Sequence, residues 1–73
     1  MDTNLSLYRI FYTVAQCGSI SAAARRLYIS QPAISKSISS LENELQTHLF
    51  ERTSRGVSLT EEGLLLFHHV SDA

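Results

Sequence analysis

Cysteine is almost absent from this sequence, which holds a single one, Cys17, among its 73 residues. One thiol cannot form an internal disulfide, which excludes a disulfide-stabilised secreted scaffold and fits a reducing compartment. No apolar run approaches the roughly 20 residues that span a bilayer, and the N-terminus lacks a signal-peptide pattern. These absences predict a cytoplasmic protein with no membrane contact.

Proline and glycine are also scarce, with one and three residues, and no linker, repeat or low-complexity tract interrupts the chain. A chain of 73 residues is long enough for one domain, and it buries only about 60% of its unfolded surface. Apolar residues make up 44% and charged residues 18% of the sequence. We therefore expect one compact folded domain, whose stability would gain from a partner.

Residue patterns that build enzyme and metal sites are missing as well. His68 and His69 are adjacent and would point about 100° apart on a helix, and no cysteine or carboxylate completes a ligand set with them or with His48. No nucleophile stands with a plausible histidine and acid, and there is no glycine-rich phosphate loop. The sequence therefore predicts no enzyme, no metal site and no cofactor.

Acidic side chains are absent between Asp2 and Glu42, although the whole chain has a net charge of −1. The same stretch contains four basic residues, Arg9, Arg25, Arg26 and Lys36. From Glu42 onward, acidic residues outnumber the two basic ones, Arg52 and Arg55. An acid-free half is the charge distribution that a DNA phosphate backbone favours; the alternative is chance segregation of a few charges.

Two helices are predicted before residue 29. The first is expected from about Leu5 to Gln16, with Gly18 ending it, and the second from Ala22 to about Tyr28, with Ser19 or Ser21 at its start. The apolar stripe of the first helix is Leu7, Tyr8, Phe11, Val14 and Ala15.

A third helix is predicted after a tight turn. It starts at Ser30 or Gln31, has Pro32 in its first turn and ends at about Leu45. Its core stripe is Ile34, Ile38, Leu41 and Leu45. Its opposite, polar face is Pro32, Lys36, Ser39 and Asn43, flanked by Gln31 and Ser35.

Short β-prone segments after residue 50 predict a hairpin, the wing, around a turn that contains Gly56. Thr60 is expected to cap a final helix, with Glu61 and Glu62 in its first turn. The predicted fold is therefore mainly α, a winged helix-turn-helix with a three-helix core, a two-stranded β wing and the start of a C-terminal helix.

A long series of residues follows one family pattern. It comprises Phe11, Val14-Ala15, Gly18-Ser19, Ala23-Ala24, Leu27, Ser30 to Lys36, Ile38, Leu41-Glu42, Leu45, Leu49 to Arg52, Leu59-Thr60 and Gly63. The run Ser-Gln-Pro-Ala-Ile-Ser, followed by a basic residue and then Leu-Glu, is its most specific part. On these residues the chain resembles the N-terminal DNA-binding domain of LysR-type transcriptional regulators. Gln46, where the family usually has glycine, and Lys36, where arginine is more common, depart from the pattern.

The resemblance implies a division into residues 1–59, a winged helix-turn-helix DNA-binding domain, and residues 60–73, the start of a linker and dimerisation helix. Family members continue into an effector-binding domain, so we expect a fragment of a longer bacterial regulator. A small-molecule effector would then bind outside this chain, and the intact regulator would form homodimers and higher oligomers.

The exposed start of the third helix is expected to read double-stranded DNA in the major groove. Gln31 can bond an adenine edge, Pro32 can touch a thymine methyl group, and Lys36 can reach guanine or a phosphate. The other predicted contacts are Ser30, Ser35 and Ser39 on the same helix, Ser21 and Arg25 on the helix before it, and Arg55 at the wing tip in a narrow minor groove. The alternatives are helix capping for Gln31 and Ser35 and solvated charges for Lys36 and Arg55.

The last helix is apolar on more than one side, which favours a second partner. Its apolar residues are Leu64, Leu65, Leu66, Phe67 and Val70. We expect either the stripe of Leu64, Phe67 and Val70 or the leucines beside it, Leu65 and Leu66, to pack against the same helix of a second chain. A two-fold dimer would recognise an inverted-repeat operator. The alternative function is a helical protein-interaction module that uses this helix and does not read DNA.

Overall fold

The computed structural model describes the backbone of residues 3–71 and the side chains of residues 6–71, which form four helices and two strands. In chain order these are α1 (Thr3–Cys17), α2 (Ile20–Leu27), α3 (Gln31–Leu45), β1 (Phe50–Thr53), β2 (Gly56–Leu59) and α4 (Glu61–Ser71). The predicted three-helix core, two-stranded wing and C-terminal helix are confirmed.

The starts of the first two helices differ from the sequence prediction. α1 is longer at both ends than expected, and α2 begins at Ile20 rather than Ala22. The reason is the cap: Ser19 Oγ accepts a hydrogen bond from the Ala22 amide at 3.2 Å, which satisfies one of the free N–H groups at the helix start. Ser21, the other candidate cap, lies inside the helix.

Both ends of α3 lie where the sequence placed them. Ser30, and not Gln31, is the N-cap, since its Oγ accepts from the Ala33 amide at 3.3 Å. Gln46 takes the left-handed conformation (φ 56°, ψ 43°) that glycine usually supplies, and its side-chain amide donates to the Asn43 carbonyl oxygen at 2.7 Å. This local hydrogen bond helps to offset the left-handed backbone, which costs about 1–2 kcal/mol for a residue with a Cβ.

The core lies between α1, α2 and α3 and is closed by the residue before the wing. Its buried members are Phe11, Val14, Ala23, Ala24, Ile34, Ile38, Leu41 and Leu49. The two alanines let α2 approach its neighbours closely, because short side chains leave the helices little separation. Leu45, predicted as core, is 38% exposed at the last turn of α3, where the helix ends and no element covers it.

The wing is a two-stranded antiparallel hairpin with Ser54 and Arg55 at its tip. Gly56 opens β2 with a positive φ of 142°, and a Cβ there would overlap the carbonyl oxygen of Gly18. The amide of Val57 donates to that same carbonyl at 3.1 Å. Glycine is therefore required at position 56 because the wing packs directly on the backbone between α1 and α2.

α4 starts at the predicted cap and packs on α1. Thr60 Oγ1 accepts from the Gly63 amide at 3.0 Å, and the Tyr12 and Phe67 rings stack with centroids 5.0 Å apart. Leu66 and Phe67 pack against the core cluster of their own chain. The exposed apolar surface of α4 is therefore smaller than its composition suggested, because Leu66 and Phe67 pack within their own chain. Within residues 3–71, no helix has the length and apolar character to cross a membrane.

Candidate nucleic-acid interface

The N-terminal end of α3 is an exposed polar surface. Ser30, Gln31, Pro32 and Lys36 are all exposed, while the apolar stripe on the other side of the helix is buried. Ser30 already accepts the capping bond through its Oγ, so Gln31 is free of the capping role that was its alternative. This end of the helix therefore presents an amide, a flat apolar ring and a cation to solvent.

Side chains of α2 and α3 meet at this surface. Ser21 Oγ accepts from Arg25 Nη1 at 3.4 Å and from Gln31 Nε2 at 3.5 Å. Both distances lie at the long end for hydrogen bonds, so the contacts orient the Arg25 and Gln31 side chains without consuming their binding capacity. The structure thus brings together three predicted DNA contacts from two helices.

The middle of α3 faces the wing across a cleft of about 150 Å³. Ser35, Ser39 and Glu42 line it from the helix, and Arg52 lines it from β1. Ser35 is half-buried here and Ser39 is exposed. These two serines therefore line the cleft on the side of α3 that faces the wing.

The wing tip carries one of the two basic residues of the hairpin. Arg55 is exposed, and its backbone amide donates to Thr53 Oγ1 at 3.3 Å, which closes the turn. Arg52 lies on β1, two residues before the tip, where it is exposed and paired with Val57 of β2.

Charge is of one sign over residues 3–41, which form α1, α2 and most of α3. All four basic side chains of this stretch are exposed: Arg9, Arg25, Arg26 and Lys36. Arg26 Nη1 donates to Gln16 Oε1 at 3.4 Å, a neutral partner that leaves the charge in place. Since residues 3–41 contain no carboxylate side chain, this surface keeps a positive potential suited to an anionic ligand.

Glu42 has a structural role that sequence reasoning missed. Its Oε2 accepts from the backbone amides of Leu49 and Phe50, at 2.7 Å and 3.4 Å. The sequence identified Glu42 only as the first acid after a long acid-free stretch. Its contacts bridge seven and eight residues across an irregular segment, so no helical or strand periodicity signals them.

The histidines and the cysteine do not converge. Among the described residues, no group of three or more His, Cys, Asp or Glu side chains is placed to hold a metal ion. His68 instead meets the Phe67 ring edge-on, with centroids 6.2 Å apart, and Cys17 is half-buried beside the core.

Known proteins with similar sequences are transcriptional regulators. An uncharacterized HTH-type transcriptional regulator of Sinorhizobium fredii is 49% identical over 71 residues, which cover 97% of this chain and 24% of that protein. The HTH-type transcriptional regulator ClcR of Pseudomonas putida is 58% identical over 55 residues, 75% of this chain and 19% of that protein. The chain thus spans about a quarter or less of these relatives' length. The expectation that it is not an enzyme is confirmed by these relatives.

Solved structures share the fold. The crystal structure of the CbnR DNA-binding domain in complex with DNA superposes with a TM-score of 0.87 at 35% identity, covering 99% of this chain and 80% of that one. The family model described as bacterial regulatory helix-turn-helix protein, lysR family, matches residues 5–64. With a match over most of its length and the winged helix-turn-helix architecture, the chain belongs to the lysR family of bacterial regulatory helix-turn-helix proteins.

Proposed function

We propose that this chain binds double-stranded DNA sequence-specifically as the reading part of a bacterial transcription regulator, with α3 in the major groove and the wing in the minor groove. The observation that carries the proposal is the exposed, acid-free start of α3 beside the exposed basic residues of α2. The similar CbnR domain is described in complex with DNA, which supports the same use of this surface.

Base reading is assigned to three neighbouring side chains of α3. The Gln31 amide has both a donor and an acceptor, which match the N6 and N7 edge of adenine. Pro32 offers an apolar ring to a thymine methyl group, and Lys36 offers a cation to guanine or to a phosphate. Because Ser21 orients the Gln31 amide through a long hydrogen bond, exchanging that bond for one to a base costs little.

Phosphate contacts are assigned to residues around this centre. They are Ser21 and Arg25 on α2 and Ser30, Ser35 and Ser39 on α3, of which Ser35 can serve a base or a phosphate. Ser30 can do this while capping, because a hydroxyl that accepts from the Ala33 amide still has its own proton to donate. Such contacts fix the register of the domain on the duplex without reading sequence. Arg55 is assigned separately, to a minor groove narrowed by A·T-rich sequence.

Dimerisation is assigned to α4, with residues 1–59 as the reading unit and residues 60–73 as the pairing helix. Leu64 and Leu65 are 48% and 69% exposed and adjacent on α4, so they form an apolar surface that faces solvent within the part of the chain that the structure describes. Leu66, Phe67 and Val70 support this surface from the side that faces α1. Two-fold pairing would present two copies of α3 to an inverted-repeat operator.

A salt titration tests the DNA-binding proposal. A duplex selected by the chain from a random library and a scrambled duplex are compared between about 50 and 200 mM salt, where a protein with 6–10 phosphate contacts loses about 10³–10⁵ in affinity. We expect a steep salt dependence on both duplexes and tighter binding to the selected one. Weak, salt-independent binding without preference would instead favour the protein-interaction module.

Sedimentation tests the dimer. We expect two chains per palindromic duplex at saturation, and loss of cooperative binding in Leu65→Ser. Leu45→Ser, at an exposed leucine on α3 rather than α4, is the matched control and should retain cooperativity. One chain per duplex at saturation would overturn the dimer while leaving the DNA contacts of α3 intact.

A further inference from the structure

The segment from His48 to Phe50 joins α3 to the wing and is held from the α3 side by one carboxylate. Glu42, on the last turns of α3, accepts hydrogen bonds from the amides of Leu49 and Phe50 at 2.7 Å and 3.4 Å. The Leu49 side chain is fully buried in the core. The segment therefore cannot move relative to α3 without breaking bonds to a half-buried charge or exposing a core residue.

The same segment is held from the other side by the start of α4. The Thr60 amide donates to the Leu49 carbonyl oxygen at 3.0 Å, and Thr60 Oγ1 donates to the His48 carbonyl oxygen at 2.6 Å. Thr60 Oγ1 also accepts from Gly63 at 3.0 Å. A Cβ at Gly63 would overlap the Leu49 carbonyl oxygen, so the first turn of α4 lies directly against this backbone.

We name this arrangement of Glu42, residues 48–50, Thr60 and Gly63 the junction. Through it, the C-terminal part of α3 and the N-terminus of α4 bond to opposite sides of the same three residues. The angle between the two helices is therefore fixed by hydrogen bonds and close packing, although 14 residues separate Leu45 from Thr60 in the sequence.

We propose that Glu42 and Thr60 are positioning residues that set the separation of the two DNA half-sites recognised by the dimer. This inference rests on the proposed function, in which α3 reads DNA and α4 pairs the chains. The domain is 31 Å in its longest dimension. Over that length, a change of about 10° between α4 and α3 would displace the reading end by at most about 5 Å, which exceeds the rise of about 3.4 Å per base pair along DNA. One added base pair also turns the half-site by about 35° around the duplex axis.

The test measures affinity across inverted-repeat duplexes that differ only in spacer length, from two base pairs below to two above the optimum. The wild-type chain should prefer one spacer over its neighbours by about tenfold, since a rigid dimer must otherwise twist the DNA. Thr60→Val keeps the shape of the side chain but loses the hydroxyl. The preference of this variant for the optimal spacer over its neighbours should fall below about threefold. Thr60→Ser keeps the hydroxyl and should keep the wild-type profile.

An isolated half-site separates positioning from reading. Because Thr60 and Glu42 do not belong to the predicted reading surface, affinity for a single half-site should stay within about twofold of wild type in each variant. Should Thr60→Val fail to fold, Glu42→Gln serves instead: its amide oxygen still accepts from Leu49 as a neutral, weaker partner. We expect it to broaden the spacer profile to a smaller extent.

The outcomes that contradict the proposals are distinct. An unchanged spacer profile in folded Thr60→Val and Glu42→Gln would overturn the positioning role. So would a fall in half-site affinity equal to the fall on the full operator. A wild-type dimer that binds DNA with no spacer preference would also overturn the positioning role. One chain per duplex at saturation would overturn the dimer in the proposed function, and a chain that does not bind DNA would overturn that function itself.

Discussion

The two ends of α3 use polar groups in opposite ways. At the N-terminal end, the bonds among Ser21, Arg25 and Gln31 are 3.4–3.5 Å long and exposed. At the C-terminal end, Glu42 and Thr60 make bonds as short as 2.6–2.7 Å at the junction. At the N-terminal end, the hydrogen-bond donors and acceptors stay available for a ligand. At the C-terminal end, they are used within the chain and fix the angle between α3 and α4. Substitutions should therefore affect binding at the first end and stability at the second.

The largest effect should come from the junction. Gly63→Ala places a Cβ against the Leu49 carbonyl oxygen, and backbone cannot rotate away as a side chain can. Although alanine favours helices over glycine, we expect a net loss of about 3 kcal/mol in the free energy of unfolding. Urea denaturation measures this. His69→Ala, exposed on the same helix, should change stability by less than about 0.5 kcal/mol.

A stable Gly63→Ala would contradict the structural role of the C-terminal end of α3, because it would mean that the first turn of α4 shifts without cost. The spacer profile of that variant would then show whether the shift changes the dimer.

Gln31→Ala tests the reading end. It should weaken binding to the selected operator by about 2 kcal/mol, within the range of a good base contact. Non-specific binding and the free energy of unfolding should be nearly unchanged, since Ser30 and not Gln31 caps the helix. Fluorescence anisotropy on operator and random duplexes measures both. Gln16→Ala, another exposed glutamine on α1, is the matched control; equal losses on both duplexes would leave Gln31 with a phosphate contact only.

Ser30→Ala tests a residue that lies at the N-terminal end of α3 and yet makes a structural hydrogen bond. Loss of the cap should lower the free energy of unfolding by about 1 kcal/mol, and Ser30→Gly should cost only a few tenths. Chemical denaturation distinguishes the two variants. If Ser30→Ala kept full stability but lost operator affinity, the hydroxyl would serve DNA rather than the helix.

Arg55→Ala should give the smallest effect, less than about 1 kcal/mol, and only on operators with A·T-rich flanks, where a narrow minor groove concentrates negative potential. Operators with exchanged A·T and G·C flanks test this, with Arg52→Ala on β1 as the comparison. An equal loss on both flanks would make Arg55 a general phosphate contact.

Local signals account for most of what the sequence predicted. The helices, the wing, the Thr60 cap and the Ser30 cap depend on periodicity and on side chains that bond within three residues, as Ser30 does with Ala33. Where two local signals competed, as with Ser19 and Ser21 at the start of α2, the sequence left the choice open. The cap bond from Ala22 settles it in the structure.

Tertiary contacts account for what the sequence missed. Glu42 bonds to residues seven and eight positions away across a loop, and Phe67 stacks on Tyr12 from the far end of the chain. Neither contact follows a helical or strand periodicity, so a single sequence gives no signal for it. Gln46 departs from the glycine that the family usually has. In the structure it adopts the left-handed conformation, and the hydrogen bond from its side-chain amide to Asn43 partly offsets the cost that glycine would avoid. The predicted DNA contacts and the pairing surface stay predictions until the variants above are measured.

The contact between Gly18 and Gly56 also affects when the domain becomes functional during synthesis. The Val57 amide that reaches the Gly18 carbonyl lies 39 residues further along the chain, so closing this loop must overcome an entropy that a local hairpin does not. Chains emerge from the ribosome at about 5–20 residues per second, N-terminus first. α3 therefore emerges before Leu49 can complete the core and before the wing can dock, and a nascent chain should acquire its fixed reading geometry only once the residues beyond Gly63 have left the ribosome.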